Sequence, residues 1–206
     1  MIKIKLPKLP LVTYGFARSE IRDGDVLLAS GSYAFSKLIQ QASNSPWSHV
    51  AFVLKLASVD RIMVLESVEG VGVRTIPLSE YTRNFEGSGK GYNGRLAIAR
   101  HDKFVASATP EKMKAMTQFA VDRFSYPYDN EEIARIATRI VGSALGFTQQ
   151  DLVRDNEFIC SEYVYECYKI LGIDIAYNPL GFIAPANFAD DINMKLLWEL
   201  QVEENN

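Results

Sequence analysis

Histidine and cysteine are both scarce in this chain of 206 residues, at two each. That scarcity narrows the chemistry. Cys160 and Cys167 stand seven positions apart, with no CxxC pair and no Cys/His cluster of zinc spacing, so neither a redox motif nor a structural zinc site is expected. On a helix they would lie roughly 10 Å apart along the axis, beyond disulfide reach. Both are read as thiols. No window approaches 18 uninterrupted apolar residues, so no membrane-spanning helix is expected. Residues 1–15 lack a continuous apolar stretch, with Pro7 and Pro10 interrupting it, so no secretory leader is expected and the expected location is cytoplasmic. A formal net charge of −3 is the wrong sign for nonspecific nucleic-acid binding. Lys3, Lys5 and Lys8 alternate as on an exposed strand edge.

What is present suits a globular protein. Hydrophobic residues at 48% and charged residues at 23% can build a sizeable core under a solvated surface. No internal repeat, low-complexity tract or linker divides the chain, so one domain over residues 1–206 is expected. Oligomeric state is left open.

Residues 1–22 give only a short extended start and a turn at Gly15. Val26-Leu27-Leu28-Ala29 reads as a buried strand after the turn Arg22-Asp23-Gly24-Asp25, with Asp25 fixing that turn. Ser32 can cap a helix whose stripe is Phe35, Leu38, Ile39 and Ala42. Residues 49–56 alternate as a strand, 62–68 form a second, and 73–76 a third. A short helix over 79–85, a glycine-rich loop over 86–94 and a strand over 95–100 follow. The loop is no P-loop, because Asn84 stands where a glycine is needed and Gly91 where Ser or Thr is needed. It is read as a rim of the site. Thr109-Pro110 starts a helix. Asp129 and Glu132 resemble a capping box, before a helix with Ile133, Ile136, Ala137, Ile140 and Ala144 inward and a stop at Gly146. Phe158-Ile159-Cys160 opens a helix with Val164, Cys167 and Leu171 inward, ending at Gly172. After it come a loop with Pro179 and Pro185 and a last apolar segment at Leu196-Leu197-Trp198.

Cys160 is the candidate nucleophile. Backbone N–H groups and the dipole at a helix start favour the reactive thiolate, and the same N–H groups can hold an oxyanion. Cys167, two turns on, reads as packing. The base must come from His49 or His101. His101 sits beside Asp102 and Lys103 in what reads as a solvated turn, whereas His49 opens a strand on the face opposite its large apolar residues. A hairpin turning at Ala57-Ser58 would set Glu66 directly across from His49. A carboxylate in the run Met63-Val64-Leu65-Glu66 needs a polar partner, and as His49's partner it would orient the imidazole. Ser161 either contacts substrate or bonds the helix's free N–H groups. Tyr128 either offers a hydroxyl near the thiolate or serves the turn Tyr126-Pro127-Tyr128-Asp129. Glu131-Glu132 and Asp190-Asp191 read as solvated helix ends rather than metal ligands, since no histidine accompanies them. No metal or cofactor is expected.

The order Gly24-Asp25-Val26-Leu27-Leu28, Trp47-Ser48-His49-Val50-Ala51, Val64-Leu65-Glu66-Ser67 with Gly70-Val71, Tyr128-Asp129, and Cys160-Ser161-Glu162-Tyr163-Val164 resembles the circularly permuted NlpC-type papain-like hydrolases. The nearest branch is the YiiX/YebB-like group, and the resemblance spans about residues 22–190. It implies an α+β papain-like fold, a central antiparallel sheet packed against helices with the nucleophile at a helix N-terminus. It implies Cys160 as nucleophile, His49 as base and Glu66 as orienting residue. It also implies cysteine peptidase or amidase activity, in a superfamily that includes acyltransferases resembling lecithin:retinol acyltransferase. The leading expectation is a thiol hydrolase cleaving an amide in a small peptide, a peptidoglycan-type peptide or an N-acyl amino acid. The alternatives are a lipid or acyl transferase using the same Cys–His pair, or a binding member of the fold without turnover.

Overall fold

Val26, Leu27, Leu28 and Ala29 are consecutive and all have no solvent exposure, which requires a strand covered on both faces. The computed structural model, which describes residues 8–32, 34–132, 134–136, 138 and 159–203 with only the backbone at 34 and 35, shows how this is met. Strands β1 (Leu11–Val12), β2 (Val26–Ser30), β3 (His49–Leu56), β4 (Arg61–Val68), β5 (Gly72–Pro77), β6 (Arg95–His101) and β7 (Met194–Leu200) make one sheet. Its order is β1-β7-β6-β2-β3-β4-β5. Every neighbouring pair is antiparallel except β1 with β7.

The helices are α1 (Tyr14–Glu20), α2 (Ala34–Ala42), α3 (Leu78–Arg83), α4 (Phe104–Ser107), α5 (Pro110–Val121), the helical residues 130–132, 134–136 and 138 (α6), α7 (Cys160–Ile170) and α8 (Pro185–Ala189). They cover both faces of the sheet. On one face Val26, Leu28, Val50, Phe52 and Leu65 meet Met116 of α5, Tyr163 and Tyr168 of α7 and Phe188 of α8. On the other, Leu27, Ala51, Val53, Val64 and Ile98 meet Tyr14 and Ala17 of α1 and Leu78 and Tyr81 of α3. Alternate residues of each central strand thus feed two different cores. The fold is α+β, as the sequence implied.

Local signals place most elements. The Thr109 side chain accepts from the Lys112 N–H at 3.4 Å and caps α5, with Pro110 at the first helical position. Gly24 holds φ +79 with the Phe104 ring 1.9 Å from where a Cβ would stand, so only glycine lets β2 begin there. Two expectations change and one is filled in. Gly15 lies inside α1, not in a turn, because the Thr13 side chain caps that helix by accepting from the Phe16 N–H at 3.3 Å. Pro185 opens α8 rather than continuing a loop. The last apolar segment is β7, inserted between β6 and β1. Lys3, Lys5, Pro7, Ile133, Ala137, Ile140, Ala144, Gly146, Phe158 and the Phe35 side chain lie outside the described residues.

Candidate active site

Cys160 is the first residue of α7, which packs across β3 and β4. Two buried tyrosines fix the helix in place. Tyr163 Oη donates to the Ala120 carbonyl at 2.9 Å and Tyr168 Oη to the Gly24 carbonyl at 2.7 Å, so each buries a ring without stranding its hydroxyl. The first-turn N–H groups of a helix have no intrahelical acceptor. At this terminus the Glu162 carboxylate turns back to accept from the Ile159 N–H at 3.3 Å.

His49 is the first residue of β3. The start of that strand is tied to β2: the Ser48 N–H donates to the Ala29 carbonyl at 2.9 Å, and Ser48 Oγ accepts from the Gly31 N–H at 2.9 Å. His49 Nε2 lies 2.7 Å from Glu66 Oε2. An ionised carboxylate only accepts, so Nε2 donates and Nδ1 is the nitrogen left for another partner. Cys160 lies against the same ring, close enough for its sulfur to act on the ring's charge. Burial works against a charged ring here, but hydrogen bonding and the negative charge of Cys160 and Glu66 outweigh it. His49 is pushed up from its ordinary 6.5 to about 10.

The contact with Glu66 is made diagonally, not directly across. β3 and β4 pair Phe52 with Leu65 and Leu56 with Arg61, a register that carries Glu66 opposite Ala51. The hairpin reverses one residue later than expected, through a short 3₁₀ turn at Ala57–Val59 and Asp60 in the left-handed region at φ 50. That delay moves the pairing by two residues, an even number, so Glu66 stays on the face of His49. A slip of one would have sent it to the other core.

Glu66 has no solvent exposure and three side-chain partners. Besides His49, it accepts from Arg74 Nε at 2.9 Å and from Tyr81 Oη at 2.5 Å. Burial alone would raise its pKa. The His49 hydrogen bond and charge, then Arg74 and Tyr81, reverse this and lower it. Burial and then the charge of Glu66 push Tyr81 well above its usual range, so it stays protonated and donates. Neither Arg74 nor Tyr81 was singled out from the sequence. Arg74 was legible in principle, since a β-hairpin through Gly70-Val71 pairs it directly with Glu66. Tyr81 reaches Glu66 from α3, a contact that no local pattern encodes.

Tyr128 and Ser161 join Cys160 in lining a small pocket, together with Ile39, Ile136, Ile159 and Phe182. Its volume of about 20 Å³ leaves room for roughly one water molecule. Gly72 sets Tyr128's position. At φ +87 it approaches the Tyr126 carbonyl so closely that a Cβ would stand 2.0 Å from the oxygen, and the Val73 N–H donates to that carbonyl at 2.9 Å. Burial, and then the negative charge of Cys160, Glu69, Glu162 and Asp129, push the Tyr128 hydroxyl far up. Ser161 does not bond the free N–H groups of α7. Its hydroxyl is buried and donates to the Ile183 carbonyl at 2.8 Å, which pins the segment before α8 to the pocket wall.

A family model for permuted papain-like amidase enzymes of the YaeF/YiiX type, the C92 family, matches residues 20–133, more than half of the chain. The chain belongs to this family. It is accordingly an enzyme of the cysteine peptidase and amidase class. The match includes His49 and Glu66 and stops before Cys160, so the cysteine's place beside them is a finding of the fold. Among solved structures, the metalloprotein YiiX from Escherichia coli O157:H7 shares the fold at a TM-score of 0.58 and 19% identity, over 87% of this chain and 98% of that one. No curated protein matches. Among the described residues of the present amidase-family chain, no group of three or more His, Cys, Asp or Glu is placed to hold a metal ion.

Within this amidase-family frame the remaining candidates sort by burial. Cys167 is wholly buried, and burial pushes its thiol far up, as packing requires. His101 is not in a solvated turn. It is 1% exposed, packs against Tyr168 with the rings tilted by 47° and their centroids 5.8 Å apart, and has Nε2 3.4 Å from Asp191 Oδ1. Nor are the acidic pairs merely solvated helix ends: Glu132 is 1% exposed and Asp191 faces His101. Asp129 Oδ1 accepts from the Glu132 N–H at 2.6 Å, as a cap should. Asp25 fixes its turn by accepting from the Arg22 N–H and also binds Arg100 through both oxygens, at 2.6 and 2.8 Å. Phe85, just before the glycine-rich loop, and Tyr92 within it pack on Tyr81, behind Glu66. Among the described residues, no helix is long and apolar enough to cross a membrane.

Proposed function

We propose that the chain is a thiol amidase with Cys160 as nucleophile, His49 as its acid–base partner and Glu66 as the group that orients the imidazole. The observation that carries this reading is the His49 ring, bonded to a wholly buried carboxylate and lying against the thiol at a helix start. His49 takes the proton of the Cys160 thiol, which gives a thiolate beside an imidazolium. The Cys160 sulfur attacks the amide carbon and a C–S bond forms, with first-turn N–H groups of α7 beside the developing oxyanion. The C–N bond breaks as His49 gives its proton to the leaving amine. Water then adds to the thioester, losing a proton to His49, and the C–S bond breaks to release a carboxylic acid and regenerate the thiolate. The apolar side chains beside Cys160, among them Ile39, Ile136, Ile159 and Phe182, support an uncharged group on the acyl side, as in a small peptide or an N-acyl amino acid. Alkylation by iodoacetamide with peptide mapping at neutral pH tests the assignment. Cys160 is labelled first and His49→Ala slows it, whereas equal labelling of Cys160 and Cys167 that is indifferent to His49 overturns the reading.

The same apolar lining favours a second reading, in which an acyl group passes from Cys160 to an acceptor other than water. Incubation with acyl thioesters or phospholipid then leaves an acyl mass on Cys160, and absence of any adduct rules it out.

A further inference from the structure

An imidazole N–H can be oriented by any acceptor, and a neutral amide oxygen would do. Glu66 instead brings a full charge into a position with no solvent exposure, where an uncompensated carboxylate would take up a proton. The residue that answers this charge is Arg74, paired directly with Glu66 between β5 and β4. Arg74 Nε donates to Glu66 Oε1 at 2.9 Å, while its Nη2 is buried and makes no hydrogen bond. Glu86, half exposed on the loop after α3, is next nearest at 3.8 Å. His49, Glu66 and Arg74 therefore form a chain of alternating sign, and a thiolate at Cys160 would complete it with four charges that cancel.

Resting on the assignment of Cys160 as nucleophile, we propose that Arg74 is a positioning residue that supplies Glu66's counter-charge and so keeps Cys160 and His49 as an ion pair at neutral pH. The other groups around the chain leave its balance standing. Tyr81, from α3, stays protonated and donates to Glu66, with Tyr92 behind it. Glu69, Asp129 and Glu162 lie on the Tyr128 side of Cys160. Removing the guanidinium leaves the cluster one charge negative. His49 and Glu66 stay paired, and the proton that restores neutrality goes to the Cys160 thiolate.

The test is the pH profile of Cys160 alkylation by iodoacetamide in the whole chain, which needs no substrate. The wild type stays reactive well below the usual thiol range of about 8.5. Arg74→Met lowers the rate near pH 6 by roughly tenfold or more, the equivalent of one pKa unit. Arg74→Lys keeps the low-pH reactivity, and adding Glu66→Gln to Arg74→Met restores most of it, because removing both charges restores neutrality. A purely structural arginine would not be rescued by a second substitution. An Arg74→Met profile that overlays the wild type, or a loss that Glu66→Gln does not relieve, overturns the proposal. Should Arg74→Met fail to fold, the lysine and double variants decide, and loss of low-pH reactivity in either overturns it. A wild type without low-pH reactivity is a distinguishable failure, since it removes the nucleophile assignment itself.

Discussion

The two histidines occupy opposite ends of the same sheet. His49 opens β3 beside the last residues of β2, while His101 closes β6 beyond the first. Helix α7 runs between them, with Cys160 against the His49 ring and Tyr168 against His101. Their environments pull in opposite directions. His49 is pushed up to about 10 because two anionic partners outweigh its burial. His101 is lowered because burial dominates, even with Asp191 nearby. Its Nδ1 accepts from the Lys103 N–H at 3.3 Å, a bond that only the neutral ring can make. One end of the sheet is built to hold a charged imidazole, the other to hold a neutral one, and burial is common to both.

The hardest way to break this contrast is to remove the thiol. Cys160→Ala is expected to abolish amide turnover while leaving the far-UV spectrum unchanged, measured by hydrolysis assay and circular dichroism. His49→Ala should lower kcat/KM by about 10²-fold to 10⁴-fold, the range for loss of a general acid–base group, whereas His101→Gln should leave it within a few-fold. Glu66→Gln should cost about tenfold or more and shift the alkaline limb of the kcat/KM profile to lower pH, since one unit of His49 shift is one decade. A shift to higher pH would contradict the role given to its charge.

Stability should separate the same two residues by the sign of their pH dependence. His49 is raised, so its contribution is full below 6.5 and lost as pH climbs towards 10. The melting-temperature gap between wild type and His49→Gln should therefore narrow over that window. His101 is lowered, so its contribution is full above 6.5 and lost as pH falls below it. The gap to His101→Gln should narrow on acidification instead. Tyr81→Phe removes one of three side-chain bonds to Glu66 and should cost about 1.5 to 3 kcal/mol of stability, by chemical denaturation.

How much of this was legible differs from residue to residue. Alternation in β3 and β4 placed His49 and Glu66 on one face, and that survived a register wrong by two, because side-chain direction repeats every second residue. Thr109-Pro110 and Asp129 marked helix starts because capping is settled within a few residues. His101 misled, since polar neighbours in sequence do not show that Asp191 and Tyr168 close over it. Ser161 misled for the same reason, its acceptor Ile183 coming from a different segment.

What the sequence determined by itself was the period of each strand, the start of each capped helix and the identity of a thiol, an imidazole and a carboxylate able to work together. These are local properties, fixed by backbone geometry over a few residues. Only the tertiary structure decided that Cys160 meets His49, that Glu66 is clamped by Arg74 and Tyr81, and that one histidine is held charged and the other neutral. Charge in a buried site depends on every group within a few ångströms, and here those groups come from β3, β4, β5, α3 and α7, which only folding brings together.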